Sequence, residues 1–502
     1  MSKLYVFGIG GTGSRVLKSL TMLLAAGTDC GVDTIVPIII DRDMSNKDLS
    51  RTKLLIEDYI IVNNKIAKTN GNNKFFKTNI HLLNNELCLQ LRDNTQKFDE
   101  FIGRSTMSNE NEALVNMLFS KETLGLDMTE GFQGNPNIGS VVLNQFDGND
   151  IFKAFASDFK DGDKIFIISS IFGGTGASGF PLLRRILHTP NVTGSDGKVL
   201  ANWGLINKAP IGAISVLPYF LVGSPTDGSL VDSDTFIDKA RAALSYYKNE
   251  DKKIDVLYYI ADKLTTTYEH HKGGDAQMNN AHFVELAAAL AVLDFVNPEK
   301  SGINFHRDKD NNIERTVYKE FGINTNLPEF TFDNLSDETK RLIVNPLSRF
   351  LLFAKYMGFG VEKEQKNGKE KFVVKHIERN DIFKQENKYQ PYSHKRFTDD
   401  FRKINSIQKL ESVQLKFVEW LLEMELQNRR FAPFNLMSSN ATDFIKGNMS
   451  VFKNNNSRYK DWAKIDNELN NQINKINKSM DNESLFIELF YNMTSEIINY
   501  KN

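Results

Sequence analysis

The 502-residue chain contains only two cysteines, Cys30 and Cys88. Two thiols cannot build a disulfide framework or a cysteine-based zinc site. Their scarcity fits a reducing compartment, so a cytoplasmic location is expected. Neither sign of charge prevails, with 62 Lys and Arg against 63 Asp and Glu. That balance argues against bulk electrostatic attraction to nucleic acid or an anionic membrane, and no direct nucleic-acid binding is expected. No apolar run approaches the roughly 18 residues a membrane helix needs. The opening MSKLYVFGIGG reaches glycine after a short apolar run and reads as a strand, not a leader peptide. His270 and His271 are adjacent, so they point different ways on any regular element, and no ligand spacing surrounds them. No Ser-His-Asp or Cys-His arrangement is readable, no internal repeat appears, and the aromatic residues follow the apolar periodicity of a core.

Glycine-rich turns stand out against these absences. KLYVF (3–7) predicts a buried strand, GIGGTGS follows it, and SRVLKSLTMLLAA (14–26) has helical periodicity. KIFIIS (164–169) is followed by GGTGASG (173–179) and a second helix. A third turn, GFQGNPNIGS (131–140), lies between them, with a helix expected near Gly139. None of the three carries the lysine of the common phosphate loop, G-x-x-x-x-G-K-[ST]. Backbone N–H groups at a strand-to-helix turn make an anion site without it. One such turn also fits a dinucleotide fingerprint, with Asp41 as its ribose acid. Two at strand ends, with a third between them, suggest a phosphate chain held from several sides.

TIVPIII (34–40), GAISVLPYFLV (212–222) and DVLYYIA (255–261) predict further strands. Strands alternating with helices imply a parallel sheet covered on both faces. Residues 279–297 read as a buried central helix, nearly apolar all round. A domain boundary is expected near 298. It separates a nucleotide-binding domain (1–278) and the central helix from an α+β domain (298–400) with two hairpins. A helical C-terminal region (401–502) follows.

In this order the motifs resemble the tubulin/FtsZ superfamily, as a divergent bacterial tubulin-like protein. GGTGASG resembles the tubulin signature loop, with Phe172 in place of its first glycine. GIGGTGS resembles FtsZ's first nucleotide loop, and GNPNIG (134–139) the loop that surrounds the γ-phosphate there. AISVLP (213–218), LYYIADKL (257–264) and GGDAQMNNAHFVELAAALAVLDF resemble the following strands and the start of the central helix. The likeness runs from residue 4 to 297.

The resemblance implies a Rossmann-like GTPase domain that binds GTP or GDP with Mg2+. It implies self-assembly into a longitudinal homopolymer, with hydrolysis completed by the neighbouring subunit. Gly10, Gly11, Thr12, Gly13 and Ser14 would cradle phosphates, together with Gly173, Gly174, Thr175, Gly176 and Ser178. Gly134, Asn135 and Gly139 would face the γ-phosphate. Asp41 and Asp43 would meet it with magnesium, whose oxygen-ligand preference suits carboxylates. Asp232 or Asp234 would reach the ribose. Asp262 would accept from both N1–H and the 2-amino group of guanine, a donor pair adenine lacks, with Asn279 or Asn280 completing base recognition. Asn334, Asp337 or Glu338 would be the residues acting across the subunit contact, while Arg341 occupies the position of the family's catalytic acid. An arginine cannot act as a base, although it can stabilise phosphate charge.

Two alternatives stand beside this reading. One is a non-hydrolysing guanine-nucleotide scaffold or sensor on the same fold. The other is a ThiF-type adenylating enzyme, which Asp41, Asp43 and Arg51 resemble in order. The C-terminal helices are where an unidentified protein adaptor would bind.

Overall fold

The computed structural model describes residues 2–66, 71–89, 97–145, 148–194, 196–223, 233–249, 253–271, 273–322, 336–366, 369–376, 396–427, 433–438, 441, 443–445, 462–476 and 479–499. Its centre is a seven-stranded sheet: β1 (Lys3–Ile9), β2 (Thr34–Ile40), β3 (Asn79–Ile80), β4 (Lys164–Ser170), β5 (Ile211–Val216), β6 (Val256–Ile260) and β7 (Val317–Phe321). The strand order is β3-β2-β1-β4-β5-β6-β7. Every neighbouring pair is parallel. The chain therefore has the α/β, Rossmann-like parallel sheet that its strand–helix alternation predicts.

Pleating decides which side each residue faces. In β1, Leu4 and Val6 join one apolar layer, while Tyr5, Phe7 and Ile9 join the other. Such two-sided burial gives continuous apolar runs rather than alternation. Pro37 is tolerated inside β2 because β3 pairs only with Thr34 and Ile35. The groups of Ile39 face Leu87 and Leu89 on that same side. The missing N–H of Pro37 thus points to a gap in the pairing.

The helices that matter for the site are α1 (Gly10–Ala25), α2 (Lys47–Ile66), α3 (Pro136–Val142), α4 (Asp150–Asp158), α5 (Gly174–Leu187) and α6 (Phe236–Asn249). They are followed by α7 (Phe283–Val296), α8 (Asp337–Tyr356), α9 (Asn405–Glu425), α10 (Trp462–Lys475) and α11 (Asn482–Ile497). α7 is the expected central helix, buried along almost its whole length. It begins at Phe283, later than expected. His282 caps it by accepting from Val284 N, and Glu285 reaches back to His282 N at 3.1 Å, closing a capping box. Asn279 and Asn280 consequently precede the helix.

The expected boundary near 298 falls inside the sheet. β7 lies beyond it and pairs with β6 from Val317–Val256 to Phe321–Ile260. Its side chains alternate between half-buried and exposed, which suits an edge strand. Lys319 ties it to α7 through Asp294 at 2.6 Å. Both expected hairpins are present, one at 306–315 and the other formed by β8 (Phe359–Lys366) and β9 (Lys369–His376). The C-terminal helices share one apolar core with α1, α2 and α7, running from Leu4 to Ile498. Among the described residues no helix is long and apolar enough to cross a membrane.

Candidate functional site

Strand register builds the site. Ile9 of β1 is level with Ile40 of β2 and Ser169 of β4. The turns that follow, at Gly10, Asp41 and Gly173, therefore emerge side by side at the carboxyl ends of the strands. This is where ligands bind in open parallel sheets. They open a cleft lined by Gly10–Thr12, Asp41, Asp43, Gly131–Gly134 and Gly173–Gly176. Ser170, Arg15, Asn46, Gln277 and Asn279 join them, with Phe172, Phe220, Phe236 and Tyr268 at an aromatic end.

The loops approach too closely for side chains. A Cβ on Gly10, whose φ is +72°, would lie 3.3 Å from Thr175 Cβ. One on Gly174 would lie 3.1 Å from Asn135 N and 3.3 Å from Gly134 N. The two strand-to-helix turns therefore touch each other, and the second also touches the third loop.

α1 and α5 begin here, at Gly10 and Gly174. Neither N-cap, Ile9 or Gly173, makes a side-chain cap hydrogen bond, and neither first turn holds an acid. Their leading N–H groups and positive dipole ends are left for a ligand. Lys239 Nζ would lie 3.3 Å from a Cβ on Gly134. A cation from α6 thus stands beside the third loop, although the loops themselves carry no lysine.

Asp41 is buried, and burial together with the Asp43 charge pushes its carboxyl up to about 7. Asp43 already accepts from Ser45 N at 3.2 Å and Ser45 Oγ at 2.9 Å through Oδ1, and from Gly274 N at 2.8 Å through Oδ2. Its role is to pin the 273–276 turn against the cleft. Asp41 is the better placed of the two to hold a divalent cation. No cluster of three or more His, Cys, Asp or Glu is present among the described residues. A cation here would complete its shell with phosphate oxygens and water, the manner in which magnesium usually binds.

The aromatic end is a packed wall. Phe172 lies 5.0 Å from Phe236 and 5.5 Å from Phe220, and Phe220 lies 5.0 Å from Tyr268. The Arg15 guanidinium sits 5.6 Å over the Phe220 ring. It also donates to Glu285 at 2.6 Å, Tyr219 at 2.7 Å and Asp48 at 3.3 Å. Burial alone would lower its pKa, but Tyr219, Glu285 and Asp48 hold it above its ordinary value. Sequence reasoning missed Arg15 and the wall. A lone arginine inside the apolar periodicity of α1 was the available signal, whereas the phenylalanines read as core, which they also are.

Not every expected residue lines the cleft. Gly13 packs against Gly8, a backbone-to-backbone contact that brings α1 onto β1. Ser14 is fully buried. Ser178 donates to Gly174 O at 2.7 Å and stays inside its own helix. Asn135 caps α3 by accepting from Asn137 N at 3.1 Å, and Gly139 packs on Ser178. Asp234 lies in a short turn ahead of α6. Asp262 does not line the cleft, and its Oδ1 accepts from Lys263 N at 2.7 Å. Of the asparagine pair, Asn279 lines the cleft, while Asn280 is exposed. Asp337 and Glu338 begin α8, and Glu338 borders a separate cavity with Phe321 and Leu342. Asp232 and Asn334 lie outside the described residues.

No family model matches the chain, and no curated protein matches it. The site is therefore read from its geometry.

Proposed function

We propose that the chain binds a nucleoside triphosphate with a divalent cation in this cleft, in the manner of a divergent tubulin/FtsZ-like protein. The observation that carries the reading is the convergence of three glycine turns, two of them opening uncapped helices, on one cleft beside Asp41. Main-chain amides from Gly10–Thr12 and Gly174–Gly176 would meet the phosphates, and the 131–134 turn with Lys239 would close over the terminal one. A cation at Asp41 would supply neutralisation of the bridged phosphates. The aromatic wall, Arg15 and Asn279 would receive the nucleoside. Guanine rests on the motif resemblance alone, because Asp262, the residue that favoured it, is not in the cleft. GTP remains the nucleotide proposed.

Self-assembly follows from the same reading. Asp337 and Glu338 stand on α8 rather than at the cleft of their own chain, as residues acting on a neighbour's nucleotide would. Turnover then belongs to the contact between subunits, and an isolated subunit is a binder.

The test is direct. The purified protein is denatured, the released nucleotide identified by chromatography, and the native protein pelleted with and without GTP and Mg2+. Guanine nucleotide with GTP-dependent sedimentation supports the whole reading. Guanine nucleotide without polymer or turnover leaves the scaffold role. AMP or ATP with pyrophosphate exchange replaces it with adenylation, and an intact dinucleotide replaces it with cofactor binding.

A further inference from the structure

The segment 279–281 connects the cleft to α7. It is held almost wholly by side chains. Asn279 N donates to both Asp48 oxygens, at 3.2 and 3.3 Å. Asn279 O accepts from Arg51 Nη1 at 3.4 Å. Asn280 O accepts from the Tyr268 hydroxyl at 2.8 Å. Ala281 N donates to Glu423 Oε2 at 2.8 Å, and Ala281 O accepts from Gln427 Nε2 at 3.2 Å. Glu423 Oε1 also pairs with Arg51, and Oε2 with Lys18 at 3.2 Å. Burial would raise the Glu423 carboxyl, but Lys18 and Arg51 outweigh that and hold it ionised below its ordinary value. One carboxylate on α9 thus grips Ala281 directly and Asn279 through Arg51. The Asn279 side chain is buried, lines the cleft and makes no hydrogen bond to another described residue.

We infer that Glu423, from the C-terminal helix α9, is a positioning residue for nucleotide recognition, fixing the Asn279 amide where it meets the nucleoside. This rests on the nucleotide reading above. Through Tyr268, which holds Asn280 O, the clamp bears on the aromatic end of the cleft. Its loss should weaken GTP and GDP by the same factor, because both share the nucleoside. A mispositioned amide forfeits about one hydrogen bond, so the expected loss is about tenfold.

The control is Lys416→Met. Lys416 joins the same helix α9 to Asp58 of α2, but it has no link to 279–281. Fluorescent GTP and GDP analogues are titrated into the full-length wild type, Glu423→Gln and Lys416→Met, with thermal melting and amide exchange at Asn279 and Ala281 read in parallel. The expected result is equal weakening of both nucleotides in Glu423→Gln, faster exchange at the two amides, and unchanged affinity in Lys416→Met. Equal losses in Glu423→Gln and Lys416→Met would reduce Glu423 to a structural tie. A changed GTP-to-GDP ratio would move its effect to the phosphates. Wild-type affinity in Glu423→Gln would overturn the inference while leaving the nucleotide reading intact. A wild type that binds neither nucleotide would overturn both. If Glu423→Gln does not fold, Gln427→Ala, which removes only the donor to Ala281 O, is expected to show the same paired weakening to a smaller degree, and no weakening there overturns the inference.

Discussion

The two helices that open from the strand-end glycine turns differ from most helices that begin elsewhere. α1 and α5 have neither a side-chain cap nor an acid in the first turn. α4 is capped by Asn149, α8 by Ser336 and α11 by Asp481, and each has an acid in its first turn. α9 is an exception away from the cleft, with neither a side-chain cap nor an acid in its first turn. α3, which starts at the third glycine turn, is capped by Asn135. Away from the cleft, then, the protein supplies a capping acceptor at α4, α8 and α11. At the starts of α1 and α5 it withholds one, leaving amides to be satisfied by something else. The stability forgone at α1 and α5 is what a bound anion would restore.

The comparison breaks most visibly if an acid is placed in the cleft. A Cβ on Gly11 meets nothing within 4 Å, so Gly11→Asp fits. Its carboxylate would occupy the phosphate position and add a favourable charge to the first turn of α1. Nucleotide affinity should fall on the order of 10^3-fold, while the melting temperature of the ligand-free protein holds or rises. A loss of both would mean that the amides were structural.

Charges built in elsewhere should act on stability alone. Lys355, in the last turn of α8, donates to Ser438 O at 2.7 Å, and burial pushes its ammonium down to about 8. Between pH 8 and its ordinary value of 10.5 the folded protein has released a proton that the unfolded chain still holds. Stability should therefore rise with pH across that window, by roughly 2–3 kcal/mol, and Lys355→Met should flatten the rise. Denaturant titrations at pH 7.5 and 10 on both proteins would measure it, with no matching change in nucleotide affinity.

A smaller effect concerns the cation. EDTA should weaken GTP binding about tenfold in the wild type and leave Asp41→Asn, already weakened, unmoved. Asp43→Asn should also loosen the 273–276 turn, seen as faster exchange at Gly274. The smallest effect is at a distant cap. Asp481→Ala removes the acceptor for Ser484 N and should cost about 1 kcal/mol of stability, with nucleotide affinity unchanged.

Much of this site was legible because strand-to-helix turns write themselves locally. Residues 3–26 and 164–187 each carry an apolar run, a glycine turn and a helical period in unbroken sequence. What joins them was not local. That Gly10, Asp41 and Gly173 stand level depends on parallel pairing across long crossovers. β3 is two residues long and leaves no pattern to read. β7 falls past the boundary expected near 298, and five residues, VYKEF, do not say which sheet they complete. Asp262 was placed by position in a motif, and its carboxylate turns instead to the amide beside it. Asn279 and Asn280 were indistinguishable in sequence. The capping box at His282 and Glu285 starts the helix after them, so the extended segment before it buries one and exposes the other. Arg15 was overlooked because its partners Asp48, Tyr219 and Glu285 lie far apart along the chain.

The undivided core has a consequence for how the chain is made. The outer faces of α1 and α2 are covered by α9, and α2 also by α11, helices that follow every strand of the sheet in the chain. Until they dock those apolar stripes face solvent, beside an already paired sheet, as an invitation to stray contacts. Biogenesis should therefore draw heavily on chaperones that shield nascent polypeptides, and release from them should follow the docking of α9 and α11.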